Sequence, residues 1–267
     1  MKPKLIYKFE DFTIRSLRNL KNQIIFFGSP KNFNDPYDCA IRAEVRSPKE
    51  QEIIQLRNFY LNQNDLPDQA RSELSTMSNS QISSLIERRA RSLAEIHAED
   101  FLNTKGVSCF SEINSDLLMW SHYGGKYKGF CLEFSSEFEP FNKLRKVNYL
   151  ESMPMIDPVS AIMGNDFDQF LNLYCTKSKS WSYEKEWRAL HHVANTAFTY
   201  PTEALKGVYF GPEVDPADRE MCCLILQGQN PNVLFWRGER NSAKFSVEFE
   251  KFTYTSNIVA RKKGLIT

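Results

Sequence analysis

The sequence predicts an α+β fold: a mixed, mostly antiparallel β core with a helical insertion at about residues 49–103. Three observations lead there. Short runs rich in β-branched and aromatic residues recur along the chain, among them LIYKF at 5–9, QIIFF at 23–27, GFCLEF at 129–134 and LKGVYF at 205–210. Between 49 and 103 the apolar spacing turns helical and the composition more polar. Strands and helices do not alternate regularly, which argues against a doubly wound sheet. At 267 residues with 42% hydrophobic content, the chain can bury a sizeable core and reads as a single domain over 1–267.

The elements follow in order. Strand 5–9 precedes a short helix over 11–22, with Ile14, Leu17 and Leu20 at helical spacing, and strand 23–27 ends at Gly28-Ser29-Pro30. Residues 31–38 (KNFNDPYD) form a turn, because Pro36 pushes Asp35 out of the helical region. Residues 39–46 alternate as a strand. The insertion holds three helices: one around 53–61, one over 68–74, and a long third that Ser80 is expected to cap. Arg88, Arg89 and Arg91 of that helix read as a solvated face. Strand 107–110 leads to a turn, a helix over 117–123 with Ser115 as its N-cap, a stop at Gly124-Gly125, and strand 129–134. Strand 144–150 follows, then a helix over 159–175 that Gly164 is placed to break. Residues 184–191 read as a strand. After strand 205–210, Asp215-Pro216 opens a helix to about 227, and strands 232–237 and 244–252 complete the chain.

The formal net charge is +1, so no global field draws in nucleic acid or an anionic membrane. Arg261-Lys262-Lys263 reads as a solvated tail. No run approaches the ~20 apolar residues of a membrane span, and Leu5-Ile6-Tyr7 is too short for a signal peptide. The expectation is a soluble, cytoplasmic protein with no membrane partner. Cys39, Cys109, Cys131, Cys175, Cys222 and Cys223 include no C-x-x-C pair and no zinc-like spacing, so reduced thiols and no metal are expected. G-x-G-x-x-G, P-loop, G-x-S-x-G and H-E-x-x-H motifs are all missing, which sets aside Rossmann, kinase, hydrolase-elbow and zincin readings.

Two stretches are dense in polar and aromatic residues beyond what a core requires. The first is GVSCFSEINSDLLMWSHYGGKYKGFCLEF at 106–134, the second KSKSWSYEKEWRAL at 177–190. Trp120 and Tyr123 share a helix face; they plug the core, or they wall a pocket whose mouth also holds His122. If 184–188 is extended, Glu184, Glu186 and Arg188 share one face and Tyr183 and Trp187 the other. Carboxylates about 7 Å apart along a strand repel unless a cation intervenes, and Arg188, Lys185 or Lys177 could supply it. Such a group suits general-base work or the binding of ribose hydroxyls, and equally a surface edge of mixed charge. Asn34 and Asp35 are turn formers or members of a polar loop facing the site.

FFGSPKNFNDPYDC, MWSHY, YEKEWR and LKGVYFG occur in that order, and the chain resembles the bacterial domain of unknown function 2971 family. That resemblance singles out Phe33, Asn34, Asp35, Pro36, Trp120, His122, Tyr123, Gly129, Lys177, Trp181, Glu184, Glu186, Trp187 and Arg188, and it implies no activity. A more distant similarity is to ADP-ribosyltransferases, which implies that Ser108 and Ser111 contact a ribose, Tyr123 stacks on nicotinamide and Glu186 orients a ribose hydroxyl. Glu184-Lys185-Glu186 has the E-x-E form of that class, although the Ser-Thr-Ser triplet is missing. The expected partner is a small-molecule or nucleotide ligand, with NAD as the candidate cofactor. The alternatives are a metal-independent hydrolase or nuclease using Glu186 and His122 as base and acid, and a non-catalytic ligand or partner sensor. The oligomeric state is left open.

Overall fold

The computed structural model describes residues 2–40, 43–163 and 167–265. It is α+β, with an eight-stranded mixed, mostly antiparallel sheet. The elements begin with β1 (Leu5–Glu10), α1 (Ile14–Lys21), β2 (Ile24–Phe27) and β3 (Glu44–Val45). Helices α2 (Glu50–Leu61), α3 (Asp68–Thr76) and α4 (Asn79–Thr104) form the expected helical insertion. The middle of the chain holds β4 (Gly106–Ser111), α5 (Leu117–His122), β5 (Phe130–Ser135), β6 (Arg145–Lys146), β7 (Asn148–Leu150) and β8 (Met155–Ile156). Then come α6 (Pro158–Met163), α7 (Phe167–Tyr174), β9 (Thr176–Ser178), β10 (Glu186–His191) and β11 (Thr196–Thr199). The chain continues through β12 (Leu205–Phe210), α8 (Pro216–Gln227), β13 (Leu234–Arg240), β14 (Val247–Phe252) and α9 (Asn257–Lys262).

Two compact units share these elements. The first comprises Met1–Ser29, Gly106–Val147 and Trp181–Thr267; the second comprises Pro30–Lys105 and Asn148–Ser180.

The first unit holds the eight-stranded sheet, in the order β14-β13-β12-β5-β1-β4-β10-β6. Its strand pairs are antiparallel except β12 with β13. Period-two alternation gives the sheet two distinct faces. On one, Ile6, Phe110, Phe130, Phe134, Val208 and Phe210 form the main core with Leu20 of α1 and Leu226 of α8. On the other, Phe9, Cys131 and Tyr209 pack with Met119 and Trp120 of α5. Strands β2 and β11 make a separate two-stranded ladder.

In the second unit, Ile53, Leu56, Leu74, Ile82 and Ile86 of α2, α3 and α4 bury one another, and Val159, Ile162 and Met163 of α6 pack against them. Phe101 stacks on Tyr174 at 3.7 Å between ring centroids. Arg46 bridges Glu52, at 2.8 Å, and Asp157. The hydrogen bonds from Arg46 and from the Lys49 N–H hold the Glu52 carboxyl down at about 2.

Several boundaries differ from expectation. Ser78, not Ser80, caps α4, through a reciprocal bond pattern with Gln81. Asp116, not Ser115, caps α5: its Oδ1 accepts from the Leu118 and Met119 N–H groups at 2.9 and 3.1 Å. Gly125 ends that helical stretch in the left-handed region, φ 57°. The expected strand over 144–150 is divided between β6, on β10, and β7, on β9. Over 39–46 only β3 is strand; Asp38–Ala40 is a 3-10 turn, and residues 41 and 42 lie outside the described residues, as does Gly164. The basic Arg261-Lys262 pair belongs to α9. No helix among the described residues is long and apolar enough to cross a membrane.

Candidate functional site

Residues directly opposite one another on neighbouring strands share a face of the sheet. In the first unit this lines up Glu186 of β10 with Ser111 of β4, Ser111 with Tyr7 of β1, Tyr7 with Glu133 of β5, and Glu133 with Gly207 of β12. The row runs across five strands on the face opposite the phenylalanine core. Most of it is buried: Glu186 is 4% exposed, Glu133 7%, Ser111 1%, and Arg188, two residues along β10, 0%, with Tyr7 half-buried. Charges so buried require partners.

Arg188 meets Glu186 as a fork, its Nε donating to Oε1 at 2.8 Å and its Nη2 to Oε2 at 3.0 Å. Arg188, one of the three cations expected near the two glutamates, is thus a partner of Glu186. Glu133 Oε2 accepts from Tyr7 at 3.1 Å and from Tyr209 at 2.8 Å. Burial first, and then the charge of Glu133 and the bond to it, pushes both phenols well above their ordinary range, so they remain donors. Burial likewise raises the Cys131 thiol, which makes it an inert core group.

Glu184 differs from expectation. It lies in a 3-10 turn, Lys179–Glu184, and Lys185 turns the chain at φ 45° before β10 begins at Glu186. The two glutamates are therefore not alternate residues of one strand, and each has its own partner. Tyr123 donates to Glu184 Oε1 at 2.7 Å, and Ser111 Oγ donates to the Glu184 carbonyl at 2.6 Å. Stretches 106–134 and 181–190 thus meet, through these bonds and through the β4–β10 ladder.

His122 is exposed in the last turn of α5, with ring centroids of Tyr123, Trp181 and Tyr183 at 6.1, 6.3 and 6.4 Å. Trp120 is fully buried: its Nε1 donates to the Asn114 carbonyl at 2.6 Å and its ring meets Phe9 edge-on, so it plugs the core. Ser108 and Ser111 are three apart on β4 and face opposite sides of the sheet; Ser108 pairs with Ala189 on the core face. Trp187, also on the core side, sends its Nε1 to Glu112 Oε1 at 2.8 Å.

Lys177, Asn34 and Asp35 belong to the second unit. Buried Lys177 pairs with Asp38 at 3.3 Å. Asp35 Oδ1 accepts from the Tyr37 N–H at 2.8 Å, the bond of a side-chain-stabilised turn, and Asn34 is exposed. No group of three or more His, Cys, Asp or Glu side chains among the described residues is arranged to hold a metal ion.

Sequence reasoning passed over Glu133, Tyr7 and Tyr209. The available signal was one acidic residue inside an otherwise apolar strand, FCLEF.

Residues 119–189 match the model of a family described as Protein of unknown function (DUF2971). No curated protein and no solved structure matches the chain. The matched segment contains MWSHY and YEKEWR, while FNDPYD lies outside it. Through that segment, which carries His122, Tyr123, Glu184, Glu186 and Arg188, the chain resembles the DUF2971 family.

Proposed function

We propose that the first unit binds a nucleotide-type ligand at the polar face of its sheet, and that the chemistry it performs there is ADP-ribosyl transfer from NAD. The observation that supports this is the buried Glu186–Arg188 fork on a strand whose preceding turn carries an aromatic group with His122. A carboxylate held by a guanidinium is an oriented hydrogen-bond acceptor more than a proton-abstracting base. That favours ribose binding over a hydrolase or nuclease in which Glu186 takes a proton.

In the proposed reaction the ribose–nicotinamide C–N bond breaks and its electron pair leaves on the nicotinamide nitrogen. Positive charge spreads over the ribose as an oxocarbenium-like centre, and an acceptor nucleophile then bonds to the same carbon. Glu186 accepts a hydrogen bond from a ribose hydroxyl and stabilises that charge. Tyr123 and Tyr183 supply aromatic surface for nicotinamide.

Calorimetry and thermal shift with NAD, ADP-ribose and ATP, together with nicotinamide release from NAD, test the reading. NAD at ~100 times Kd is expected to raise Tm by about 5 °C. Glu186→Gln is expected to reduce nicotinamide release by about 100-fold while binding changes less. Binding without release would leave a sensor, and no response to any of the three ligands would sink the ligand class.

A further inference from the structure

Gly207 closes the polar row at β12, and the space over it is bounded by two groups with unmet hydrogen-bonding capacity. A methyl group placed on its Cα would lie 3.3 Å from Glu133 Oε1 and 3.4 Å from Trp236 Nε1. Both tyrosines bonded to Glu133 use Oε2, and no described residue donates to Oε1. Trp236 Nε1 is buried and has no hydrogen-bond partner among the described residues. By contrast, Trp120 and Trp187 both have acceptors for their indole N–H groups. A buried indole N–H without an acceptor is costly, and Glu133 Oε1, on a residue 7% exposed, lacks a donor among the described residues. Two such groups converge on one glycine.

The chemistry of the missing piece follows from the pair. One wall only accepts and the other only donates, so the occupant both donates and accepts at one atom. A neutral hydroxyl does this. An ammonium cannot accept from the indole, and an anion is repelled by Glu133. The Trp236 ring stacks on that of Tyr209, parallel to within 3° and with centroids 5.5 Å apart, so the indole beside Gly207 belongs to an aromatic surface of the kind that sugar carbons pack against.

We propose that the gap over Gly207 is a hydroxyl-recognition subsite, in which one sugar hydroxyl of the ligand donates to Glu133 Oε1 and accepts from Trp236 Nε1. It rests on the nucleotide-ligand reading for the identity of that sugar, which is a ribose. Gly207 is glycine because any side chain would occupy the hydroxyl's place; Tyr7 and Tyr209 hold the carboxylate so that Oε1 faces the gap.

The test uses full-length protein with 15N-labelled tryptophan. The chain has four tryptophans, and Trp236→Phe, which keeps a ring in the stack, assigns the fourth indole signal. D-ribose and NAD are titrated separately into wild type and Gly207→Ala. Both probes are expected to move the Trp236 indole N–H resonance and to leave those of Trp120 and Trp187 in place. Gly207→Ala is expected to abolish the movement, and both it and Trp236→Phe to weaken NAD binding roughly tenfold without a matching fall in Tm. An unmoved Trp236 signal with both probes, or the same movement in Gly207→Ala, overturns the subsite. If NAD binds without moving Trp236, the nucleotide reading survives and the subsite does not. If ribose moves Trp236 while NAD does not bind, the reverse holds.

Discussion

On the side that meets α1 and α8, the large sheet presents Ile6, Phe110, Phe130, Phe134, Val208 and Phe210; on the other it presents Tyr7, Ser111, Glu133, Glu186 and Arg188. The same strands, residue by residue, thus carry two chemistries at similar burial. The first face stabilises the fold at about 25 cal/mol per Å² of apolar surface removed from water. The second must offset the desolvation of three charged groups with hydrogen bonds, and it gains little net stability in doing so. Burial alone would be met by repeating the first face, so the polar row adds specificity of pairing rather than net stability.

That contrast can be broken from either side. Phe134 is fully buried and stacks on Phe141 at 4.5 Å between centroids, so Phe134→Ala is expected to cost about 3–5 kcal/mol in urea unfolding. Arg188→Ala should cost a similar ~3–5 kcal/mol, because it removes the forked partner of a buried carboxylate. The faces differ in the rescue. Glu186→Leu with Arg188→Met should return stability to within about 1–2 kcal/mol of wild type, or above it, while nucleotide binding is lost. A double variant as unstable as Arg188→Ala would mean that the polar row is structural. The smallest effect is at Glu112, 28% exposed at its side chain. Burial raises its pKa, but the Trp187 bond and Lys146 at 3.2 Å outweigh that and hold it below its ordinary value. A depressed carboxylate stabilises the fold above its unfolded pKa and loses that contribution as pH falls through the folded one. Wild type should therefore exceed Glu112→Gln by about 1 kcal/mol at pH 7, and the gap should close as pH drops below ~4.5.

The α+β class and most strands were legible because period two survives wherever one face is apolar. The fold of the second stretch was not. E-K-E-W-R alternates perfectly, yet Lys185 takes a positive φ and Glu184 sits in a turn, a conformation set by the bonds it receives from Tyr123 and Ser111. The division of 144–150 was hidden for a similar reason, since partners β10 and β9 lie far along the chain. At the candidate site the Glu186–Arg188 pairing was open to inference, being two residues apart on a strand. The Glu133 group was not, because Tyr7, Glu133 and Tyr209 come from three distant segments and meet only through strand order. Trp120 illustrates the opposite error: an aromatic in a conspicuous motif whose place is decided by packing.

The position of β1 has a kinetic meaning. Leu5 pairs with Ser135 and Tyr7 with Ser111, so β1 is completed only after most of the second unit's sequence has been synthesised. Such a fold has high contact order and assembles slowly, and β1 must remain soluble with both edges unpaired while it waits. Lys8 interrupts the apolar run of β1 and Glu10 ends it, the two 3.6 Å apart in the finished sheet. Charges so placed lower the tendency of an unpaired strand to aggregate.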